Sequence, residues 1–273
     1  LWADNDTQKI TDYVNPFIGT GFHGHTYPGA TVPFGAVQLS PDTRTGDWDA
    51  CSGYHYSDST LLGFSHTHLS GTGCIDLGDI LFRPTISSFE EGKPLYTPAR
   101  FLHSSEKATP GYYSVKLEEE NIFAELTATT YAGMHRYTYP NGKNAYVVID
   151  LAHLLTDEFI YEAELVQTQK NEITGMRRTR GWVDNQYVYF VVQFDAPIAT
   201  LQLFNNGKPS KNKKALSGQQ IQALLGFQKS RQIIAKVGLS NVSIENARMN
   251  LKHDIEGFNF ETLRRQSSEI WEN

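Results

Sequence analysis

The segment Tyr112-Tyr113-Ser114-Val115-Lys116-Leu117 alternates its side chains as a β-strand does. After a polar link, Ile122-Phe123-Ala124-Glu125-Leu126-Thr127-Ala128-Thr129 repeats the pattern. A third segment, His135-Arg136-Tyr137-Thr138-Tyr139, ends at Pro140-Asn141-Gly142, which is a turn signal. Similar β-branched and aromatic runs follow, at 145–151, 172–175, 187–194 and 232–239. Short runs divided by Gly, Asn and Pro predict a mainly β protein, an antiparallel sandwich or barrel. The absence of a strand–helix–strand rhythm disfavours a parallel sheet.

The hydrophobic period changes from strand to helix in the last 30 residues. Residues at helical spacing define two successive helix faces there: Ile244, Ala247, Arg248 and Leu251 on the first, and then the apolar residues Phe260, Leu263, Ile270 and Trp271 on the second. The second segment has no C-cap signal, such as a closing Gly or Pro. We expect it to begin a helical linker to a further domain, and the alternative is a helix docked on its own sandwich.

Composition excludes several functional classes. The 273 residues include 24 Lys plus Arg and 30 Asp plus Glu, so the formal charge is −6. A mildly acidic chain without a basic run is a poor nucleic-acid binder, because phosphate neutralisation needs clustered cations. The one basic cluster, at 208–214, reads as a solvated loop. No run of 18 apolar residues occurs, so we predict no membrane span.

The two cysteines leave two alternatives open. A disulfide between Cys51 and Cys74 would close a loop of 24 residues and stabilise the fold by about 3 kcal/mol. Two free thiols are equally consistent with the sequence. Neither cysteine lies in a C-x-x-C motif, so the pair alone does not indicate a metal site.

Residues 15–85 contain five of the nine histidines, among many Gly, Ser, Thr and Pro residues. His66 and His68 stand two positions apart, so on a strand both would face one ligand. With Asp76 nearby they could form a zinc or iron site. The alternative is that these histidines hydrogen-bond the glycine-rich loops together.

Two further polar loops suit a sugar better than a phosphate. The stretch 19–29 includes His23 but lacks G-x-G-x-x-G, so it does not predict a phosphate cradle. In the stretch 42–49, Trp48 is accompanied by Arg44, Asp47 and Asp49. An aromatic plate beside charged hydrogen-bonding groups matches the apolar faces and polar rim of a sugar. The alternatives are a core tryptophan and a solvated acidic turn. No G-x-S-x-G motif supports a serine nucleophile.

These stretches together resemble the N-terminal domain of glycoside hydrolase family 92, calcium-dependent exo-acting α-mannosidases abundant in gut Bacteroidetes. The resemblance rests on the following segments: Asn15-Pro16-Phe17-Ile18-Gly19-Thr20-Gly21, Gly24-His25-Thr26-Tyr27-Pro28-Gly29-Ala30-Thr31-Val32-Pro33-Phe34-Gly35, Val37-Gln38-Leu39-Ser40-Pro41-Asp42-Thr43, Cys51-Ser52-Gly53-Tyr54, and Gly63-Phe64-Ser65-His66-Thr67-His68-Leu69-Ser70-Gly71. Further segments at 110–115, 124–129 and 242–247 also fit, so the resemblance covers most of the chain.

The resemblance implies a galactose-mutarotase-like supersandwich over residues 1–255, with a few short helices. Residues 256–273 would begin a helical linker to an (α/α)6-barrel. It also implies inverting hydrolysis of terminal α-linked mannose, with α-1,2 the expected linkage, from N-glycans or mannans. Inversion uses a carboxylic acid and a carboxylate base about 6.5–9.5 Å apart. In the family both carboxylates, and most calcium ligands, belong to the barrel, so we expect no catalytic or metal-binding residue in this chain.

The resemblance also assigns one wall of the mannose pocket to this domain. By motif match the wall comprises Phe22, His23, Arg44, Trp48 and Asp49, while His66 and His68 shape the pocket, with direct ligand contact open to them. The expected partners are mannose-containing glycans and the C-terminal barrel of the same polypeptide, without nucleic acid. An uncovered apolar linker face would favour a homodimer. The sequence shows no signal peptide. An extracytoplasmic location is implied by the family and its polymeric substrates, and the pair Cys51 and Cys74 adds weak support.

Two other functions remain as alternatives. One is a stand-alone carbohydrate-binding module, which needs a complete pocket within these residues. The other is a metallohydrolase built on His66, His68 and Asp76, which needs a bound transition metal.

Overall fold

Antiparallel strands dominate the fold. The computed structural model describes residues 9–156, 159–228 and 231–273. In chain order the strands are β1 Ser40–Asp42, β2 Thr60–Leu61, β3 Gly63–Ser65, β4 Leu81–Thr85, β5 Ala99–Arg100, β6 Lys107–Thr109, β7 Tyr112–Leu117, β8 Ile122–Ala128, β9 Ala132–Thr138, β10 Ala145–Asp150, β11 Phe159–Gln169, β12 Glu172–Arg180, β13 Gln186–Phe194, β14 Ile198–Asn205, β15 Lys208–Pro209, β16 Ala215–Gly218, β17 Ile221–Phe227 and β18 Gln232–Ser240. Two α-helices, α1 Ile244–Asp254 and α2 Phe260–Glu272, follow them.

The described strands form two large sheets and one small one. Seven strands pair in the order β1-β3-β4-β10-β17-β14-β15, and nine in the order β16-β11-β12-β13-β18-β9-β8-β7-β6. The small sheet joins β2 to β5. The main hydrophobic core lies between the two large sheets. It takes Val147 and Ile149 from the seven-stranded sheet, and Val115, Val192 and Val237 from the nine-stranded one. The antiparallel sandwich expected from the sequence is therefore confirmed.

The segments rich in β-branched and aromatic residues predict the strands well where most of the strand is buried. β7 has the predicted limits, and β9 begins three residues before the predicted start at His135. The pattern gives no signal for β11, although it is eleven residues long. β11 carries polar side chains such as Glu162, Glu164 and Gln167 on its partly exposed surface. Ile160, Ala163 and Leu165 are buried, but a register shift between Ile160 and Glu162 interrupts their alternation, so the segment does not stand out as a strand in the sequence.

The first predicted helix, α1, packs on the outer face of the nine-stranded sheet. Its N-terminus is capped by Ser243, whose hydroxyl accepts a hydrogen bond from the backbone N–H of Asn246 at 3.1 Å. Ala247 and Leu251 are buried on the sheet-facing side. A Cβ on Gly238 of β18 would lie 2.5 Å from both the Ala247 carbonyl oxygen and the Leu251 Cβ. The absence of a side chain at Gly238 thus allows the helix to approach the strand closely.

The second predicted helix, α2, also lies on this domain. Phe260 and Leu263 are buried, and the Arg136 guanidinium of β9 stands 4.2 Å above the Phe260 ring. The indole N–H of Trp271 donates to the Thr31 carbonyl at 2.7 Å. The helix is therefore docked on its own sandwich, which was the alternative considered from the sequence. The assignment of 256–273 to a linker stays a prediction.

We expect Gly238→Ala to lower the free energy of unfolding by about 1–3 kcal/mol, because the added methyl group pushes α1 away from β18. Urea unfolding followed by circular dichroism measures this. The matched control is Gly257→Ala, since a Cβ at Gly257 meets no atom within 4 Å, and its effect should stay within about 0.5 kcal/mol. Equal stabilities of the two variants would contradict the packing argument.

Candidate functional site

An exposed tryptophan forms the centre of the candidate site. Trp48 starts a short 3-10 helix, Trp48–Ala50, capped by the Asp47 side chain. Its indole N–H donates to the Gly73 carbonyl oxygen at 2.9 Å, and its ring meets His25 edge-on with centroids 4.2 Å apart. Trp48 nevertheless remains 52% exposed. The ring is therefore fixed in orientation while one surface stays open to a ligand.

Phe22 and His23 extend this aromatic surface. The rings of Phe22 and His23 lie 4.1 Å apart, and those of His23 and Trp48 lie 5.4 Å apart. His23 Nδ1 hydrogen-bonds the Asp49 carboxylate at 2.5 Å. Phe22 is 79% exposed and has a φ of 55°, a left-handed conformation that costs a bulky residue free energy. Four of the predicted wall residues therefore form one continuous surface.

Arg44 is held beside this surface by two carboxylates. Its Nη1 donates to Asp47 at 2.7 Å and its Nε to Asp58 at 2.8 Å. The hydrogen bonds that Arg44 donates to Asp58, and then the one to Asp47, raise the pKa of the guanidinium further above its usual range. In return, the hydrogen bond from Arg44 lowers the pKa of Asp47. Asp58 was not singled out in the sequence, where it is one acid among several polar loop residues.

His66 and His68 lie just after β3, behind the exposed loops. His66 Nδ1 donates to the Ile80 carbonyl oxygen at 2.7 Å. That leaves His66 Nε2 to accept from His135 Nε2 at 2.9 Å, and the Tyr137 hydroxyl then donates to His135 Nδ1 at 2.7 Å. Burial lowers the pKa of His66 to about 4 and that of His135 well below its usual value. This chain of neutral rings joins the two sheets inside the core.

His68 takes part in a separate buried network around Asp42. Its Nδ1 donates to the Gln38 carbonyl oxygen at 2.6 Å and its Nε2 faces Asp42 at 2.7 Å. His153 Nε2 reaches the other Asp42 oxygen at 2.7 Å. Burial by itself would raise the pKa of Asp42, but the two histidines hold it well below its usual value. His153 was missed from the sequence because 111 residues separate it from Asp42.

His66 and His68 thus bind different protein partners, and their rings do not face one shared point as expected for two residues on one strand face. Their predicted role in shaping the pocket is compatible with these positions and stays a prediction. Asp76, the third residue of the metal hypothesis, accepts from the Trp182 backbone N–H at 3.1 Å. Across the described ranges, no group of three or more His, Cys, Asp or Glu side chains is placed to hold a metal ion.

The two cysteines lie in two different loops near Trp48: Cys51 directly follows the 3-10 helix, and Cys74 follows Gly73. Cys51 and Cys74 are free thiols, the first buried and the second partly exposed. Of the two alternatives left open by the sequence, the structure therefore has the unbridged one. Burial raises the pKa of the Cys51 thiol, so it is a poor nucleophile at neutral pH.

Fold and loops together define a β-sandwich domain with an exposed aromatic and polar surface at one end, and a family model assigns this domain. The model of the glycosyl hydrolase family 92 N-terminal domain matches residues 13–240. The chain belongs to this family, and the resemblance inferred from its motifs is confirmed.

Known relatives share the fold over nearly the whole chain. A family GH92 α-mannosidase from Bacteroides thetaiotaomicron is 37% identical with a TM-score of 0.92, over 97% of this chain and 38% of that one. The same protein in complex with mannoimidazole gives a TM-score of 0.91. An uncharacterized secreted glycosidase from Arthroderma benhamiae is 25% identical, over 96% of this chain and 37% of that protein. The chain therefore spans less than two fifths of the length of these relatives.

We expect the free energy of unfolding to fall as the pH drops from about 6.5 to about 4. In this window the unfolded chain protonates His66, while the folded chain, with a pKa of about 4, keeps it neutral. His66 alone should account for a loss of about 2 kcal/mol between pH 7 and pH 5. Urea unfolding at the two pH values measures the loss.

His66→Gln should make the pH dependence shallower, whatever its effect on stability at pH 7. His253→Gln is the matched control, since the His253 side chain is 87% exposed and its removal should leave the slope unchanged. The same slope in the wild type and His66→Gln would count against the buried neutral ring.

Proposed function

We propose that this chain is the N-terminal domain of an inverting exo-α-mannosidase that removes terminal α-1,2-linked mannose from N-glycans or mannans. Phe22, His23, Arg44, Trp48 and Asp49 form one wall of the mannose pocket, and His66 and His68 hold that wall in shape from behind. A domain that follows this one in the polypeptide, an (α/α)6-barrel, supplies the general acid and the general base. The proposal is supported by the family and by the α-mannosidase relative.

The single observation that carries the proposal is the exposed, immobilised Trp48 ring beside the His23–Asp49 pair. A pyranose presents C–H groups on its faces and hydroxyl groups around its edge. Trp48 offers an apolar plate for a face, while Asp49 and His23, with their side chains 37% and 51% exposed, offer hydrogen bonds to the edge. This arrangement suits a neutral sugar ring, and the carboxylates around Arg44 disfavour an anionic ligand.

The carboxylates near Trp48 are poorly suited to acid–base catalysis by themselves. Asp49 is paired with His23, and Asp47 and Asp58 are paired with Arg44. A general acid needs a raised pKa, whereas the pKa of Asp47 is lowered by Arg44. Arg44 and His23 hold these carboxylates as paired hydrogen-bond acceptors, which suits sugar binding better than proton transfer. The acid and base therefore come from outside this wall.

The calcium ion of the family is also proposed to lie outside this domain. Calcium needs six to eight oxygen ligands, several of them carboxylates. In the described part of this chain, no group of three or more His, Cys, Asp or Glu side chains is placed to hold a metal ion. Its residues do not fit a calcium site, so we propose that the barrel holds the ion, and we assign none of the ion's chemistry to this domain.

Several exposed apolar residues around the end of α2 support contact with a further domain. Ile10 and Tyr13 are about 70% exposed, at 69% and 72%, and Phe34 is fully exposed with a φ of 57°. The Glu272 carboxylate accepts from the backbone N–H of Ile10, so these residues lie near the α2 terminus. We propose that this surface contacts the barrel and mediates homodimerisation when uncovered.

The proposed location is extracytoplasmic. A polymeric glycan is degraded outside the cytoplasm, and the Arthroderma relative is described as secreted. Among residues 9–156, 159–228 and 231–273, no helix is long and apolar enough to cross a membrane.

We expect this chain alone to release no mannose from α-1,2-mannobiose, with calcium or with a chelator, because it lacks the acid and the base. Product analysis by chromatography checks this. Calcium-dependent release would overturn the division between wall and catalytic domain, and Asp47 and Asp49 would then be the first residues to replace.

We also expect α-1,2-mannobiose to shift the Trp48 indole N–H resonance of this chain in NMR titrations, with weak affinity because one wall is present. Trp48→Ala should abolish the response of neighbouring amides, such as that of Gly73. Phe123→Ala is the matched control, since Phe123 is also an exposed aromatic residue but lies on β8 of the nine-stranded sheet. Tight binding, at micromolar concentrations, would instead favour a stand-alone carbohydrate-binding module.

A further inference from the structure

A second polar cavity, of about 450 Å³, lies at the far end of β4 from the Trp48 loops. β4 starts directly after the loop that contains Gly73, and it ends at Thr85 in the cavity wall. Five strand residues span roughly 16 Å, so the two places are separate sites. The loop 86–98 forms much of the cavity and covers the outer face of the seven-stranded sheet, where Leu95 and Tyr96 pack against a small apolar cluster.

The floor of this cavity is rigid and charged. Arg83 is 3% exposed and its Nη2 donates to Glu120 at 2.5 Å. The Thr85 hydroxyl also donates to Glu120, and the Tyr96 hydroxyl donates to Asp150 at 2.8 Å. These bonds fix the floor before any ligand arrives. Within the described residues, the buried Nε of Arg83 has no hydrogen-bond partner, so the guanidinium is incompletely satisfied, which costs free energy.

The rim determines which ligand class fits. Lys93 pairs with Glu90 at 2.5 Å, and Glu119 adds a further carboxylate. Two cations, Arg83 and Lys93, therefore face three carboxylates, which gives the lining a net charge of −1. A phosphate or sulfate is disfavoured by this balance. Hydrogen-bond donors and acceptors thus lie side by side around the opening. Three other lining residues add apolar surface: Pro94, Leu95 and Pro98.

We propose that this cavity is a second, non-catalytic carbohydrate subsite, which binds a neutral sugar unit of the same glycan or of a neighbouring one. Mixed hydrogen-bonding groups with apolar patches match hydroxyl groups and C–H faces, and the volume lies within the usual range for small-ligand sites, about 300–1,000 Å³. The choice of mannose as the sugar rests on the proposed function, whereas the site itself does not. The subsite would hold a branched or polymeric glycan near the pocket by a second contact, which raises the effective concentration.

The test is an NMR titration of the Trp48→Ala chain with α-1,2-mannobiose, in which the first site is silenced. We expect saturable shifts of the amides at 85–98 and 118–121. Ser87→Trp places a large side chain in the opening, since Ser87 is exposed and lines the cavity. It should raise the apparent Kd at least about tenfold, which corresponds to a loss of about 1.4 kcal/mol of binding free energy. Glu91→Trp is the matched control, because Glu91 is exposed on the same loop but does not line the cavity.

Three results would overturn the subsite: no saturable shift at these amides, a response that Ser87→Trp leaves unchanged, or equal shifts with inorganic phosphate alone. The proposed function is tested separately by the Trp48 indole resonance in the unsubstituted chain. A response at the cavity with none at Trp48 would support the subsite and count against the pocket wall.

Discussion

The buried carboxylate of Asp42 is the interaction on which the candidate site depends. Its two oxygens are hydrogen-bonded by His68 and His153, at 2.7 Å each, and all three side chains are at most 5% exposed. A buried charge is costly unless it is paired and fully hydrogen-bonded. The Asp42 network therefore stabilises the contact between three segments that are distant in sequence, those of Asp42, His68 and His153, at one end of the sandwich. Gly53 packs directly against this network, since a Cβ there would lie 2.1 Å from Asp42 Oδ1. The same carboxylate therefore positions the backbone that follows Trp48.

A second buried pair continues the support toward the opposite sheet. Arg177 of β12 donates to Asp79 at 2.6 Å, and both side chains are 1% exposed. Asp79 also accepts from the Thr67 hydroxyl at 2.6 Å, and Thr67 lies between His66 and His68. The loop 66–79 is thus anchored by the Arg177–Asp79 pair at its buried end. At its exposed side, the Gly73 carbonyl oxygen accepts the hydrogen bond from the Trp48 indole. The buried polar contacts lie on the core side of the loops, and the aromatic rings of Phe22 and Trp48 on the solvent side remain accessible to a ligand.

Local pattern and motif resemblance predict different parts of this structure. Runs of β-branched and aromatic residues predict β7, β8 and β18, which are buried along most of their length, and the helical spacing of apolar residues predicts α1. The resemblance names Trp48 and His23, which the structure brings together. Neither source identifies the pairing of Asp42 with His153 or of Asp79 with Arg177, since such partners lie about 100 residues apart and carry no shared local signal. Docking of α2 depends on Arg136 and Glu125, which in the sequence read as ordinary polar positions of two strands.

The proposed wall has little binding strength while it faces water. Its hydrogen-bonding groups, His23 and Asp49, are roughly half and one third exposed, and electrostatic interactions between such groups are weakened by solvent. A second wall that closed over Trp48 would exclude water and strengthen each of these contacts without moving it. Trp48 is already held by the Gly73 carbonyl oxygen and the His25 ring, and Asp49 by His23, so little conformational entropy would be lost at closure. The rigid half built here would thus orient a sugar, while the groups that change protonation during hydrolysis would lie on the other half.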